Sequence, residues 1–391
     1  MKKKLRLGLV GAGFAGRYHV ECLRRVYGVD LEITGVTSLR EESRSTFGKA
    51  HGIKVYESVT GMLEDVDILD ICSPPYAHEK DIIAAANAGK GIICEKPLTG
   101  YFDTENGGAA SKAPMLKSVL EKLQRIAETV EKNKSFFAYA ENFVYAPGIQ
   151  KEREILEKTG AQILRMTGEE SHNGSASPVY GIWEKAGGGS LIGKGCHPLS
   201  AMLYLKRIEG IMRDGRPLRP KTVCSRTHSI TRLKNYRDEK LIRTDYHDVE
   251  DYGFMHVTFE DGTVADVLTS EIVLGGIYDY VEIFANNHRS RCHISPAKLM
   301  DIYNPRGKEF ENIYLMEKVS TKEGWSSIAT DENFTMGYQT EMQDFILSAA
   351  EKRPPQSGLG LALDTTATIY AAYLSDEKNG TETEIPLNWE L

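Results

Sequence analysis

Three short segments carry residue types that suit chemistry, and each directly follows an apolar run. Gly11-Ala12-Gly13-Phe14-Ala15-Gly16 follows residues 5–10 and opens a stretch of helical length. A glycine pattern of this kind is weak evidence alone, but between a strand and a helix it marks a dinucleotide-binding turn. Gly11 permits the tight turn, Gly13 lets the backbone approach a pyrophosphate, and Gly16 lets the helix lie close on the strand, with Phe14 and Ala15 completing the loop. Unpaired N–H groups at the helix start then hold the phosphate charge. Cys72-Ser73-Pro74-Pro75, with His78 behind it, ends a second apolar run, and Glu95-Lys96-Pro97 ends a third. Ligands of parallel sheets bind beyond the carboxyl ends of the strands. Ser73, Pro74, Pro75 and His78 are therefore expected to flank the nicotinamide side of the cofactor, with Glu95 and Lys96 at the same edge. Alone, Pro-Pro is only a turn and His78 a helix-start residue.

The second strand ends in Thr37-Ser38-Leu39-Arg40. An Asp or Glu there bonds the ribose hydroxyls of NAD. No acid is present to repel a 2′-phosphate, and Ser38 and Arg40 are placed to hold one. The expected cofactor is NAD or NADP, leaning towards NADP or dual use. The other reading of Arg40 is that it stacks on adenine or points to water.

These segments need a parallel sheet to bring them together. Strands are expected at residues 5–10, 31–38, 54–56, 66–72, 91–94 and 136–140, and helices at 14–27, 41–51, 79–88 and 115–133. This alternation implies a parallel sheet covered by helices on both faces. Residues 100–114 are rich in Gly, Ala, Ser and Asn and are expected as an inserted surface loop. Beyond about residue 140 the rhythm changes to strands at 162–170, 222–230, 252–259, 263–273, 280–285 and 313–319, with Asp261-Gly262 as a hairpin turn. Residues 210–221 read as a polar connecting loop. Asp248, Glu250 and Asp251 read as a solvated turn rather than a metal site, and no metal is expected. The fold class is an α/β N-terminal Rossmann domain with a parallel sheet, residues 1–139. An α+β C-terminal domain with a mostly antiparallel open sheet, residues 140–391, would bind substrate and form oligomers. Helices at 338–352 and 361–377 are expected to pack back on the first domain.

Together, the glycine turn, the Ser-Pro-Pro segment with His78, and Glu95-Lys96-Pro97 resemble the Gfo/Idh/MocA oxidoreductase family. Glu141-Asn142-Phe143 with Pro147, Gly187-Gly188-Gly189-Ser190-Leu191 and Gly195-Cys196-His197-Pro198 extend the resemblance through nearly the whole chain. It implies that Lys96 lies near the substrate hydroxyl and the nicotinamide. A partly desolvated lysine beside a cationic ring would have a lowered pKa and serve as an acid/base. It also implies that His197 accepts or orients the hydroxyl proton. Many members carry an aspartate one helical turn before this histidine, where this chain has Gly193. Lys194 either replaces that acid, adding charge that depresses the pKa of Lys96, or faces solvent. Glu141, Asn142, His172 and Trp183 make a plausible sugar pocket of hydrogen-bonding groups and an aromatic platform.

Composition narrows the rest. A net charge of -7 leaves no basic footprint, so nucleic acid is not an expected partner. Lys2, Lys3 and Lys4 precede no long apolar run, so neither a signal peptide nor a membrane span is expected. The six cysteines form no CxxC pair and suit reduced thiols in a cytoplasmic protein. The expectation is an NAD(P)-dependent dehydrogenase that moves a hydride from a secondary hydroxyl of a sugar or glycoside, the 3-hydroxyl being one candidate, with Lys96 and His197 handling the proton. A homodimer or homotetramer is implied by the resemblance. Two alternatives remain: a redox-neutral glycosidase that oxidises, eliminates and reduces again, and a non-catalytic cofactor-binding sensor.

Overall fold

The computed structural model describes residues 4–103, 107–295, 300–318, 321–328 and 330–389. Lys2, Lys3 and the centre of the 100–114 segment lie outside them. Six strands, β1 (Lys4–Val10), β2 (Asp30–Thr37), β3 (Lys54–Val55), β4 (Ile68–Ile71), β5 (Gly91–Glu95) and β6 (Phe137–Ala140), form a wholly parallel sheet in the order β3-β2-β1-β4-β5-β6. The order in which strands are added reverses between β1 and β4, so the loops after Val10 and Ile71 open the crevice where ligands of such sheets sit. Strand β4 is buried on both faces, as Ile-Leu-Asp-Ile requires, with Asp70 as a charged group in its middle.

The first helix, Phe14–Leu23, is shorter than its periodicity predicts, because the chain turns through Gly28 at φ +89 into β2. The described parts of the 100–114 segment are held by the second domain rather than looping freely. The Tyr101 N–H donates to Tyr370 Oη at 2.7 Å, and the Gly108 N–H donates to Asp248. The next helix starts early, at Lys112, and tolerates Pro114 because a first turn has no i−4 carbonyl to bond.

The second sheet has β7 (Ile163–Ser171), β8 (Pro220–His228), β9 (Tyr252–Phe259), β10 (Val264–Ser270), β11 (Tyr278–Ala285) and β12 (Arg289–Ser295). After a separate hairpin of β13 (Met300–Asn304) and β14 (Gly324–Ile328), β15 (Thr383–Glu384) completes it, in the order β12-β11-β7-β10-β9-β8-β15. Only the β10–β7 pairing is parallel among those described. Gly262, at φ +82, makes the β9–β10 turn. The strand expected at 313–319 does not form over residues 313–318, and Val319 lies outside the described residues. The ammonium of Lys322 takes the carbonyls of Phe310, Glu311 and Ile313, so that backbone is bonded by a side chain rather than a strand. The helix Cys196–Asp214 runs into the 210–221 segment, which is a loop only from Gly215 onward.

Two C-terminal helices join the halves. Tyr338–Glu351 meets the first helix, with Gln339 donating to the Cys22 carbonyl and Gln343 bonded to the backbone of Tyr27. Leu359–Glu377, buried along almost its whole length, packs against β8, the helix Cys196–Asp214 and the helix Lys112–Lys132. No helix among the described residues is long and apolar enough to cross a membrane.

Candidate active site

The glycine turn has the geometry a pyrophosphate needs. Gly11 sits at φ +115, where a Cβ would lie 2.4 Å from the Cys72 carbonyl oxygen. A Cβ on Gly16 would lie 2.5 Å from the Gly11 oxygen, while one on Gly13 would meet nothing within 4 Å. Gly13 thus faces open space, and no side chain caps the helix it begins. That space is a cavity of about 1520 Å³ running from this turn to His197. Its walls include Phe14, Ala15, Ser73, Pro74, Pro75 and Lys96. Ser38 and Arg40 line its far end, and the Ser38 hydroxyl bonds the Arg40 carbonyl.

His78 does not line this cavity. It is fully buried, with Nδ1 3.0 Å from the Pro97 oxygen and Nε2 2.7 Å from the Ser73 oxygen. It ties the Ser-Pro-Pro turn to the cis peptide Lys96–Pro97 rather than touching a cofactor. Glu95 also points mostly inward. One oxygen meets His19 Nε2 at 3.0 Å and the other accepts the Lys96 N–H at 2.9 Å. His19 Nδ1 lies 3.0 Å from Asp70. His19 and Asp70 escaped the sequence reading, although an acid inside the apolar run of β4 was a usable signal.

Lys96 Nζ donates to the Gly193 carbonyl at 3.0 Å and lies 5.9 Å from the Tyr180 ring centre. Burial works to discharge it, but Cys196, Tyr180, Glu170 and Glu95 outweigh burial. Its pKa is raised, against the lowered value expected. His197 Nδ1 lies 2.5 Å from Glu141 Oε1, and its ring stacks on Phe143 at 4.9 Å. Burial holds the imidazole neutral, with its pKa down at about 3. Burial likewise pushes Glu141 up to about 8. The imidazole and the carboxyl therefore share one proton as a neutral pair.

The four expected pocket residues separate. Asn142 and His172 line the cavity; the Asn142 amide donates to the Met336 carbonyl, and His172 Nδ1 accepts the Gly174 N–H at 3.0 Å. Glu141 is fully buried behind His197 and is no pocket wall. Trp183 is buried in the core against Tyr373 at 4.9 Å, with the Lys112 ammonium 4.3 Å from its ring centre. Lys194 does not face solvent: it lines the cavity, donates to the Ser175 hydroxyl at 3.1 Å and pairs with Glu271 at 3.3 Å. Glu170, Asp279, Glu317, Lys318 and Tyr180 also line this end. Asp279 and Glu170 face each other across β11 and β7, a register no local pattern could reveal.

The acidic run 248–251 is not a solvated turn. Asp248 accepts the Trp183 N–H, Glu250 accepts those of Gly189 and Leu191, and Asp251 accepts those of Ile230 and Thr231. Of the three, Glu250 holds the glycine-led segment that carries Gly193 and Lys194.

Residues 5–109 match the profile described as oxidoreductase family, NAD-binding Rossmann fold. The chain is 22% identical over 271 residues to glucose-6-phosphate 3-dehydrogenase of Bacillus subtilis (strain 168), covering 68% of this chain and 67% of that protein. It is 26% identical over 210 residues to D-glucoside 3-dehydrogenase of Escherichia coli (strain K12), covering 51% and 54%. The second match spans only about half the length of that relative. The crystal structure of GenD2 from gentamicin A biosynthesis in complex with NAD shares the fold over 99% of this chain and 98% of its own, with a TM-score of 0.79 and 20% identity. Residues 5–109 are thus similar to the NAD-binding Rossmann domain of the Gfo/Idh/MocA oxidoreductase family.

Proposed function

We propose that this chain oxidises a secondary hydroxyl of a sugar or glycoside, using NAD or NADP, with Lys96 and His197 holding the hydroxyl. The observation that carries this reading is that both side chains line one cavity that begins at the unobstructed Gly13 turn. The nicotinamide, when bound, supplies the hydride acceptor. The Gly13–Phe14 turn would hold the pyrophosphate, and Ser73, Pro74 and Pro75 would border the ring. Lys96 presents a charged donor to the substrate oxygen. Residues 1–139 serve the cofactor, and residues 140–391 serve the substrate and self-association. The names of the two sugar 3-dehydrogenases favour the 3-hydroxyl as the reacting group. Ser38 and Arg40 at the far end of the cavity, with no acid at the end of β2, favour NADP. The test is a panel of free sugars and glycosides assayed for formation of reduced nicotinamide with NAD and with NADP. Reduction by none of them, with either cofactor, overturns the reading.

A further inference from the structure

The two basic groups of the site are poor proton acceptors as they stand. Lys96 keeps its ammonium. His197 Nδ1 takes the O–H of Glu141, which leaves the hydrogen on the other nitrogen, Nε2. A hydroxyl oxygen between them meets two donors. The acceptor has to be a third group.

A carboxylate stands beside them. Glu170 lines the cavity and is only 8% exposed, and its Oε2 is buried without a hydrogen-bond partner among the described residues. That atom lies 3.8 Å from His197 Nε2. This is too long for a hydrogen bond, yet an oxygen set about 2.8 Å from both atoms would bridge them at ordinary lengths. The four residues directly before His197 include no acid. Position 193 offers only its carbonyl, which Lys96 already uses.

We propose that Glu170 is the catalytic base, its Oε2 and His197 Nε2 holding the substrate hydroxyl between them. This rests on the dehydrogenase reading. In the step, the hydroxyl O–H bond breaks and its proton goes to Glu170. The adjacent C–H bond breaks with its electron pair passing to the nicotinamide, and the carbon–oxygen double bond forms. The alcohol is oxidised and the nicotinamide reduced. His197 and Lys96 donate hydrogen bonds to the oxygen as negative charge grows on it. His197, Lys194, Lys96 and Glu141 act on the Glu170 carboxyl, and Asp279 faces it from β11. Burial, the largest influence, raises its pKa above the ordinary carboxylate value, and the ammonium groups of Lys194 and Lys96 pull against it.

The experiment uses the whole chain and a sugar that the wild type turns over. Glu170→Ala is expected to lower kcat by about 100-fold or more, with formate, but not chloride, restoring turnover in a concentration-dependent way. Calorimetry on the cofactor-free protein is expected to show weaker sugar binding in the same variant, while nucleotide binding is kept. Should the Ala variant not fold, the isosteric Glu170→Gln answers the question. The wild type is expected to lose kcat at low pH, and this fall is expected to be absent from the profile of the Gln variant. A Glu170→Gln enzyme whose kcat stays within about threefold of wild type overturns the inference, as does an Ala variant that formate does not rescue. A wild type that oxidises no sugar overturns the dehydrogenase reading instead.

Discussion

His197 Nδ1 and Glu141 Oε1 lie 2.5 Å apart, both buried, with the imidazole stacked on Phe143. The pair is held neutral by burial, which sets a sign for how pH acts on stability. Glu141 is raised to about 8 from an ordinary 4.5. Between those values the unfolded chain has lost the proton that the folded chain keeps, so this group makes unfolding easier as pH rises. Glu141→Gln removes that dependence. The thermal midpoint of the variant is expected to decline less between pH 4.5 and 8 than that of the wild type. A steeper decline counts against the neutral pair.

Lys96 is the charged donor of the site, and its removal separates binding from chemistry. Lys96→Met replaces a buried amine with an apolar chain of similar length. Turnover is expected to fall by about 10²–10⁴-fold, while nucleotide affinity, read by fluorescence titration, changes little. Loss of both together would place Lys96 in cofactor binding rather than in holding the substrate oxygen.

His19 lies in the core of the parallel sheet between two acids, Asp70 and Glu95. Burial is the largest influence and opposes its charge, but Asp70 and Cys72 together outweigh burial, so its pKa stands well above the ordinary 6.5. This stabilisation is complete below pH 6.5 and is lost as pH rises through the raised value. Asp70→Asn leaves the imidazole with one acid and is expected to lower unfolding free energy by about 3–5 kcal/mol. Denaturant melts at pH 6 and pH 9 should show a smaller difference between them in the variant than in the wild type.

The glycine turn allows folding and ligand binding to be told apart. Gly11→Ala drives a Cβ onto the Cys72 carbonyl at a φ that suits glycine, and is expected to destabilise the fold by more than about 1 kcal/mol. Gly13→Ala meets no atom, so its melting point without nucleotide is expected to match the wild type. Its methyl occupies the approach to the pyrophosphate, so nucleotide affinity is expected to fall. Thermal melts with and without NAD and NADP check both variants.

The sheet that carries the cofactor was legible because each strand is a short apolar run closed by a local signal. The glycine turn, Ser-Pro-Pro and Glu-Lys-Pro all lie at strand ends. The second half was less so. Trp183 reads the same whether it lines a sugar pocket or fills a core. What buries it is a segment distant in sequence, with Lys112 over its ring and Gly108 beside it. Glu170 and Asp279 become neighbours only through the β7–β11 register. The acidic run 248–251 looked soluble because nothing nearby hinted that three helical starts elsewhere lacked acceptors for their N–H groups. His78 was read by its place beside a loop, but both its nitrogens are turned to backbone carbonyls.

The helix Leu359–Glu377 has almost no exposed face between Leu359 and Ser375, and it touches elements of both halves. Prying the halves apart would bring its alanines, leucines and tyrosines into water, a hydrophobic penalty far above thermal energy. The crevice therefore cannot gape like a hinged jaw. Ligands must enter and leave through a mouth of fixed width, and scattering is expected to give the same radius of gyration whether the protein is loaded or empty.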